Sequence, residues 1–349
     1  MRKIKLITGP CSAESAEQLL GTVRSIASFK KDFEDAGFYL EAFRAGVWKP
    51  RTRPGTFEGI GEPALDWLAA AQAETGIPAM TEAATPQHVE SALKAGVTRL
   101  WIGSRTTTNP FDVQAIADVL RGVDIQVLVK NPMNPDIDLW LGAMERISRA
   151  GVRRIGAIHR GFSFYEKSRY RNYPKWQVPI DFKSRMPEVE LYCDPSHIGG
   201  KSIYLKELSQ KALDLGFDGI FIESHIDPAK ALSDSSQQIT PQELARMLAI
   251  LIIREEAADN IAANYDLEKL RAGIDILDDN ILDLVVERMK LVDDISVIKR
   301  ANNMTVLQPD RWEDILHKVT DGAIERGLDP DFVDELFKLV HQAAIDRQS

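Results

Sequence analysis

Cysteine is nearly missing: there are two, Cys11 and Cys193, in 349 residues. So few thiols make no disulfide framework, and without a secretion-type leader both read as reduced. An excess of positive charge is missing as well. Asp and Glu number 52 against 43 Lys and Arg, a formal net charge of -9, which excludes general nucleic-acid or membrane-surface binding, since both rest on a broad basic field. No apolar run reaches the ~18 residues of a spanning helix, and "MRKIKLITGP" is too short and too soon broken for a signal peptide. A soluble, cytoplasmic protein is expected. Low-complexity segments and sequence repeats are also lacking.

What is present is enough for a large core: 44% of the residues are hydrophobic, and at ~100 to 200 residues per domain the length suits two domains. One stretch runs against the acidic balance. In "RAGVWKPRTRPGTFEG", Arg44, Lys49, Arg51 and Arg53 fall within ten residues, with no acid before Glu58. Such a loop calls for anions, either bound substrates or acids of the protein's own surface.

Short apolar runs rich in β-branched residues alternate with helical patterns along the first 255 or so residues. The runs are "IKLITGPC", "FYLEAFRAG", "IPAMTEA", "RLWIGS", "IQVLVKN", "RIGAIHRG", "VELYCDPSH" and "GIFIESH". Between them lie segments such as "EPALDWLAAAQAETG" and "PQHVESALKAG", several ending in a glycine that stops a helix. Eight β/α units predict a (β/α)₈ barrel, an α/β fold of the TIM type, over residues 1–257. A doubly wound open sheet is the alternative.

The pattern then changes. From Tyr265 to Asn303 there is no proline, and Leu270, Ile274, Leu277, Ile281, Leu284, Val285, Met289, Val292, Ile295 and Ile298 form a helical stripe. At ~1.5 Å per residue the helix would run about 55 to 60 Å, too long for a small domain to cover, so it is expected to bury its stripe against a second copy. Helices from Pro309 to Arg326 and from Pro330 to Arg347 complete a small all-α domain over residues 258–349.

In such a barrel, chemistry gathers where strands end. Those positions hold Cys11, Arg44, Lys49, Arg51, Thr52, Glu82, Arg105, Lys130, Arg160, His197 and Glu223, with Asp234 in the loop after the eighth strand. Cys11, His197, Glu223 and Asp234 together are a mixed S/N/O donor set for one divalent first-row cation, Mn²⁺ or similar. Arg44, Lys49, Arg51, Arg105, Lys130 and Arg160 would repel one another around it unless polyanions fill the space, which points to substrates carrying phosphates and a carboxylate.

"GPCSAES", "KPRTRPGTFEG", "IGSR", "VLVKNP", "HRGF", "DPSHIGG" and "IESH" followed by "SDSSQQITP" resemble the 3-deoxy-D-arabino-heptulosonate 7-phosphate (DAHP) synthase family, type I beta branch. The resemblance spans nearly all of residues 4–250. It implies condensation of phosphoenolpyruvate with erythrose 4-phosphate, metal ligation by Cys11, His197, Glu223 and Asp234, and a phosphoenolpyruvate site at Lys49, Arg105, Lys130 and Arg160 with Arg44 nearby. Arg51 and Thr52 are implied for the erythrose 4-phosphate end. The sister family making 3-deoxy-octulosonate 8-phosphate typically has "KAN" in place of "KPRT". Arg53 and Gly55 depart from the commoner loop.

The stretch "LRAGIDILDDNILDLVVERMKLVDDISVIKRANN" resembles the first helix of the all-helical (AroQ-type) chorismate mutases. That implies rearrangement of chorismate to prephenate, with Lys299 and Gln348 at the breaking ether oxygen and Arg271, Arg288 and Arg311 on the carboxylates. Arg288 and Lys299, 11 residues apart, differ by about 20° of helical turn and share a face, whereas Arg271 lies roughly 100° round and suits a partner chain's site in a homodimer. Gln308, Trp312 and Ala344 stand where that family usually has two acids that hold the substrate hydroxyl and a serine. The alternative reading is a synthase whose tail is only a regulatory sensor or a dimerisation module. With the first strand so near Met1, the tail is the expected seat of feedback, with prephenate as the expected inhibitor.

Overall fold

The computed structural model describes residues 3–49, 55–165, 168–255, 261–307 and 309–348, with the side chains of 261–265, 309 and 310 left out. It divides into two compact units, Met1–Glu256 and Ala257–Ser349.

The first unit contains eight strands: β1 (Ile4–Gly9), β2 (Phe38–Arg44), β3 (Ala79–Glu82), β4 (Arg99–Ile102), β5 (Gln126–Lys130), β6 (Arg154–His159), β7 (Glu190–Cys193) and β8 (Gly219–Glu223). Each pairs in parallel with the next, and β1 with β8, so the sheet closes into a barrel. The open sheet is thereby set aside. Because successive side chains point to opposite faces of a strand, one set of apolar residues meets the surrounding helices. The other meets on the axis, where Ile7, Ala42, Met80, Trp101, Leu128, Ile158, Tyr192 and Phe221, one from each strand, form a layer with no exposure. Below this layer the buried Glu41 carboxylate accepts from Tyr192 Oη at 2.7 Å and Gln126 Nε2 at 2.9 Å. The charged chemistry of the other face sits directly on top of the layer.

Helix ends follow their local sequence. Helix Pro63–Thr75 begins with proline and ends at Gly76 (φ 68°), the left-handed turn that glycine adopts without a Cβ penalty. Helix Pro241–Leu248 starts in a reciprocal cap, Thr240 with Glu243.

The second unit is three helices, Ile261–Ala301, Pro309–Glu325 and Pro330–Gln348. In the long helix, Met289 and Val292 are buried and pack with Ala344 of the last helix. The stripe nearer its start is open: Leu270, Ile274, Leu277, Ile281 and Leu284 are 56 to 67% exposed.

Candidate active site

At the C-terminal ends of the strands the chain backbones come close. A Cβ on Gly9 would lie 2.2 Å from the Arg44 carbonyl oxygen, so the end of β1 can rest against the end of β2 only as glycine. Cys11 follows, fully buried. Its backbone N–H donates to Gln238 Oε1 at 2.9 Å, and its Sγ lies 3.3 Å from Asp234 Oδ2 and 2.8 Å from Lys49 Nζ. Burial, and then the Glu223 charge, push the thiol up to about 12. Burial opposes the Lys49 ammonium, but Cys11 and Glu223 outweigh it and hold that amine above its ordinary value.

Arg44, the last residue of β2, is buried over the rings of Trp101 and Phe221, 4.9 and 4.5 Å from their centroids. Its Nη2 reaches Glu223 Oε1, the last residue of β8, at 3.0 Å. The other Glu223 oxygen accepts from Gln237 Nε2 at 2.8 Å. Lys130 at the end of β5 also lies over Phe221 and donates to Asp194 Oδ2 at 2.9 Å. Burial keeps this amine below its usual range despite Asp194. Asp194 in turn caps the turn Pro195–Gly199, accepting from the His197 backbone at 3.0 Å, and lies 2.8 Å from His197 Nδ1. Nδ1 makes no hydrogen bond to that carboxylate despite its nearness, and Nε2 stands 3.7 Å from Glu223 Oε1.

Above these groups opens a cavity of about 400 Å³, lined among others by Lys49, Glu82, Arg105, Lys130, Arg160, Arg171, His197 and Asp234. Arg160 is 7% exposed. Its backbone N–H donates to Asn131 Oδ1 at 2.7 Å, while its Nη1 is buried without a hydrogen-bond partner. Burial, countered by Asp194 and reinforced by Arg171 and Arg105, pulls the guanidinium down to about 10. It stays cationic at neutral pH with a donor unmet, and the group that satisfies such a donor among cations is an anion.

The four sulfur, nitrogen and oxygen donors are of the right kinds for a divalent ion, and they stand as two pairs, Cys11 with Asp234 at 3.3 Å and His197 with Glu223 at 3.7 Å. They are not yet gathered: among the described residues no three His, Cys, Asp or Glu side chains form a metal-holding group. Lys49 holds Cys11, and Arg171 holds Asp234 at 2.9 Å.

Arg105, Lys130, Arg160, Lys49, His197 and Asp234 thus converge on one cavity, with Cys11 and Glu223 buried beside it. Arg44 sits beneath, paired with Glu223. Arg51 and Thr52 lie outside the described residues, as does Gln308. Sequence reasoning missed Arg171, which arrives from the long loop after β6 with no strand-end signal, and Asp194, whose place directly after β7 was such a signal.

In the helical unit, Arg288 and Gln348 flank the seam that Met289, Val292 and Ala344 form between the first and last helices. Arg288 Nη1 and Gln348 Oε1 are buried without hydrogen-bond partners, and Lys299 Nζ donates to the Val306 carbonyl oxygen. Arg271 stands about 25 Å before Arg288 along the helix, exposed and paired with Glu268 at 2.7 Å. Arg311 is exposed on the middle helix. Trp312 stacks on His341 with ring centroids 3.8 Å apart.

Comparison with known proteins agrees with both halves. Residues 2–259 match the family model described as the DAHP synthetase I family, and residues 270–349 that described as chorismate mutase type II. A phospho-2-dehydro-3-deoxyheptonate aldolase of Thermotoga maritima is 31% identical over 235 residues, covering 67% of this chain and 64% of that protein, somewhat under two thirds of its length. A 2-dehydro-3-deoxyphosphooctonate aldolase of Nitratidesulfovibrio vulgaris is 27% identical, covering 66% of this chain and 84% of that protein. The crystal structure of the Thermotoga maritima phospho-2-dehydro-3-deoxyheptonate aldolase (DAHP synthase) aligns with a TM-score of 0.60 at 27% identity, over 70% of this chain and 67% of that one.

Proposed function

The chain belongs to the DAHP synthetase I family and carries a chorismate mutase type II domain later in its sequence, and from that premise we propose that it catalyses two reactions. The barrel condenses phosphoenolpyruvate with erythrose 4-phosphate to give DAHP and phosphate. The helical unit rearranges chorismate to prephenate.

The observation that carries the first reading is Arg160, buried, cationic and with Nη1 unmet at the wall of a cavity it shares with Arg105, Lys130 and Arg171. These groups bind the phosphate and carboxylate of phosphoenolpyruvate and balance charge as the vinyl carbon attacks the aldehyde. Cys11, His197, Glu223 and Asp234 would hold a divalent cation, which polarises that aldehyde when bound. Asp194 orients His197 for this. Lys49, a cationic amine beside Cys11 and the Glu223 carboxylate, would hand a proton to the oxygen that gains charge. Water then adds at the next carbon and phosphate leaves. The sequence "KPRT" favours the four-carbon aldose over the longer sugar of the sister family.

In the helical unit no covalent help is needed, only a cavity that folds chorismate into its reactive shape. Arg271, Arg288 and Arg311 take the carboxylates, and Lys299 and Gln348 the ether oxygen. The exposed stripe from Leu270 to Leu284 supports a homodimer in which a second copy covers it and Arg271 serves the partner's site.

The test is to assay both reactions on the intact chain and on residues 1–257 and 258–349 separately. Each half should keep its own reaction; an intact chain that forms no DAHP from the two substrates would overturn the first reading.

A further inference from the structure

His341 and Trp312 lie in the helical unit and take no substrate contact in the reading above. Their rings are nearly parallel, with centroids 3.8 Å apart and planes 8° off. The stack fixes the plane of the imidazole, so that only its edge remains for polar contact. On that edge Nε2 is buried and without a hydrogen-bond partner. A buried polar atom left so is costly, and it points to a group that arrives from outside.

The neighbours say what that group is. His341, Ala344 and Gln348 are spaced i, i+3 and i+7, one face of the last helix, and Ala344 packs against Met289 and Val292. That face therefore looks onto the turn of the long helix that carries Arg288. Gln348 Oε1 and Arg288 Nη1 are buried and unmet in the same seam. Burial, and then the charges of Arg288 and Lys299, hold the imidazole below its ordinary value, so at neutral pH it is uncharged. A neutral acceptor beside two cations does not compete with carboxylates for them. Of the polar groups of chorismate, two carboxylates and an ether oxygen suit cations and amide donors. The ring hydroxyl alone brings a proton to donate.

Resting on the mutase reading, we propose that His341, held in plane by Trp312, accepts a hydrogen bond at Nε2 from the ring hydroxyl of chorismate and so fixes which way the substrate lies in the site.

The experiment compares the intact wild-type chain with His341→Leu, which fills similar space without a hydrogen bond, and His341→Gln, which restores an acceptor. Both are assayed with chorismate and tested for binding of a chorismate whose ring hydroxyl is methylated. The contact exists in both the ground state and the transition state, so its loss should raise KM by about 3- to 10-fold with kcat little changed. His341→Gln should recover most of that, which a merely structural histidine would not show. On the methylated compound the wild type and His341→Leu should bind equally. An unchanged KM in His341→Leu, or the same loss on the methylated compound, overturns the proposal. A wild-type chain that neither binds nor rearranges chorismate overturns the mutase reading itself, and this inference with it.

Discussion

Arg44 and Glu223 meet at 3.0 Å with side chains 1% and 0% exposed. They close the top of the barrel interior as a buried ion pair, and removing one partner strands the other charge where water cannot reach it. Arg44→Met is expected to lower the unfolding free energy of the barrel by ~3 to 5 kcal/mol. The double change Arg44→Met with Glu223→Gln should cost less than the sum of the single changes. Urea unfolding followed by a barrel tryptophan signal checks this; strict additivity would mean that the pair is not coupled.

Arg160→Ala and Lys130→Ala should each lower DAHP synthase turnover by ~10²-fold or more if the two cations stabilise charge in the transition state. Steady-state kinetics in phosphoenolpyruvate decide the matter. Near-normal kcat and KM in both variants would remove these residues from the anion site.

Chelation should abolish the barrel reaction, and Mn²⁺ or a similar cation should restore it. Cys11→Ala should keep the far-ultraviolet spectrum of the wild type yet fail to recover on metal addition, because only three of four donors remain. Full turnover by protein shown to be metal-free is the contrary result.

Arg271→Ala and Arg288→Ala should each silence the mutase reaction. After the two proteins are mixed and allowed to exchange subunits, part of the activity should return, since one site in each heterodimer would draw intact Arg271 and Arg288 from different chains. Exchange proven by mass, without recovery, speaks against a shared site.

Prephenate should inhibit DAHP formation by the intact chain and not by residues 1–257. A coupling of ~1 to 3 kcal/mol between the two sites would be enough for useful feedback. Equal inhibition of both forms would place prephenate at the barrel site instead.

Much of the barrel could be read from the sequence because its signals are local. Each of the eight apolar runs became a strand, and Lys130 and Glu223 at the run ends became the last residues of β5 and β8. The long helix was legible for the same reason, and begins at Ile261, four residues before the expected Tyr265. What could not be read depends on side chains that meet across long sequence separations. Nothing in "RYRNYP" says that Arg171 will bind Asp234, 63 residues on. The ring pairing of Trp312 with His341 is of the same sort. Arg44 was legible as a cation at a strand end, but its direction was not; Trp101 and Phe221 beneath it give its guanidinium an aromatic seat inside the barrel.

The axial layer of Ile7, Ala42, Met80, Trp101, Leu128, Ile158, Tyr192 and Phe221 makes the barrel a cup and not a tube. Whatever reacts above that floor has one mouth for both arrival and departure. A molecule that came to rest lowest, against Lys130 just above Phe221, would have to enter before anything that lay over it and could not leave until the upper place was vacated. Eight side chains on the barrel axis would thereby set a queue.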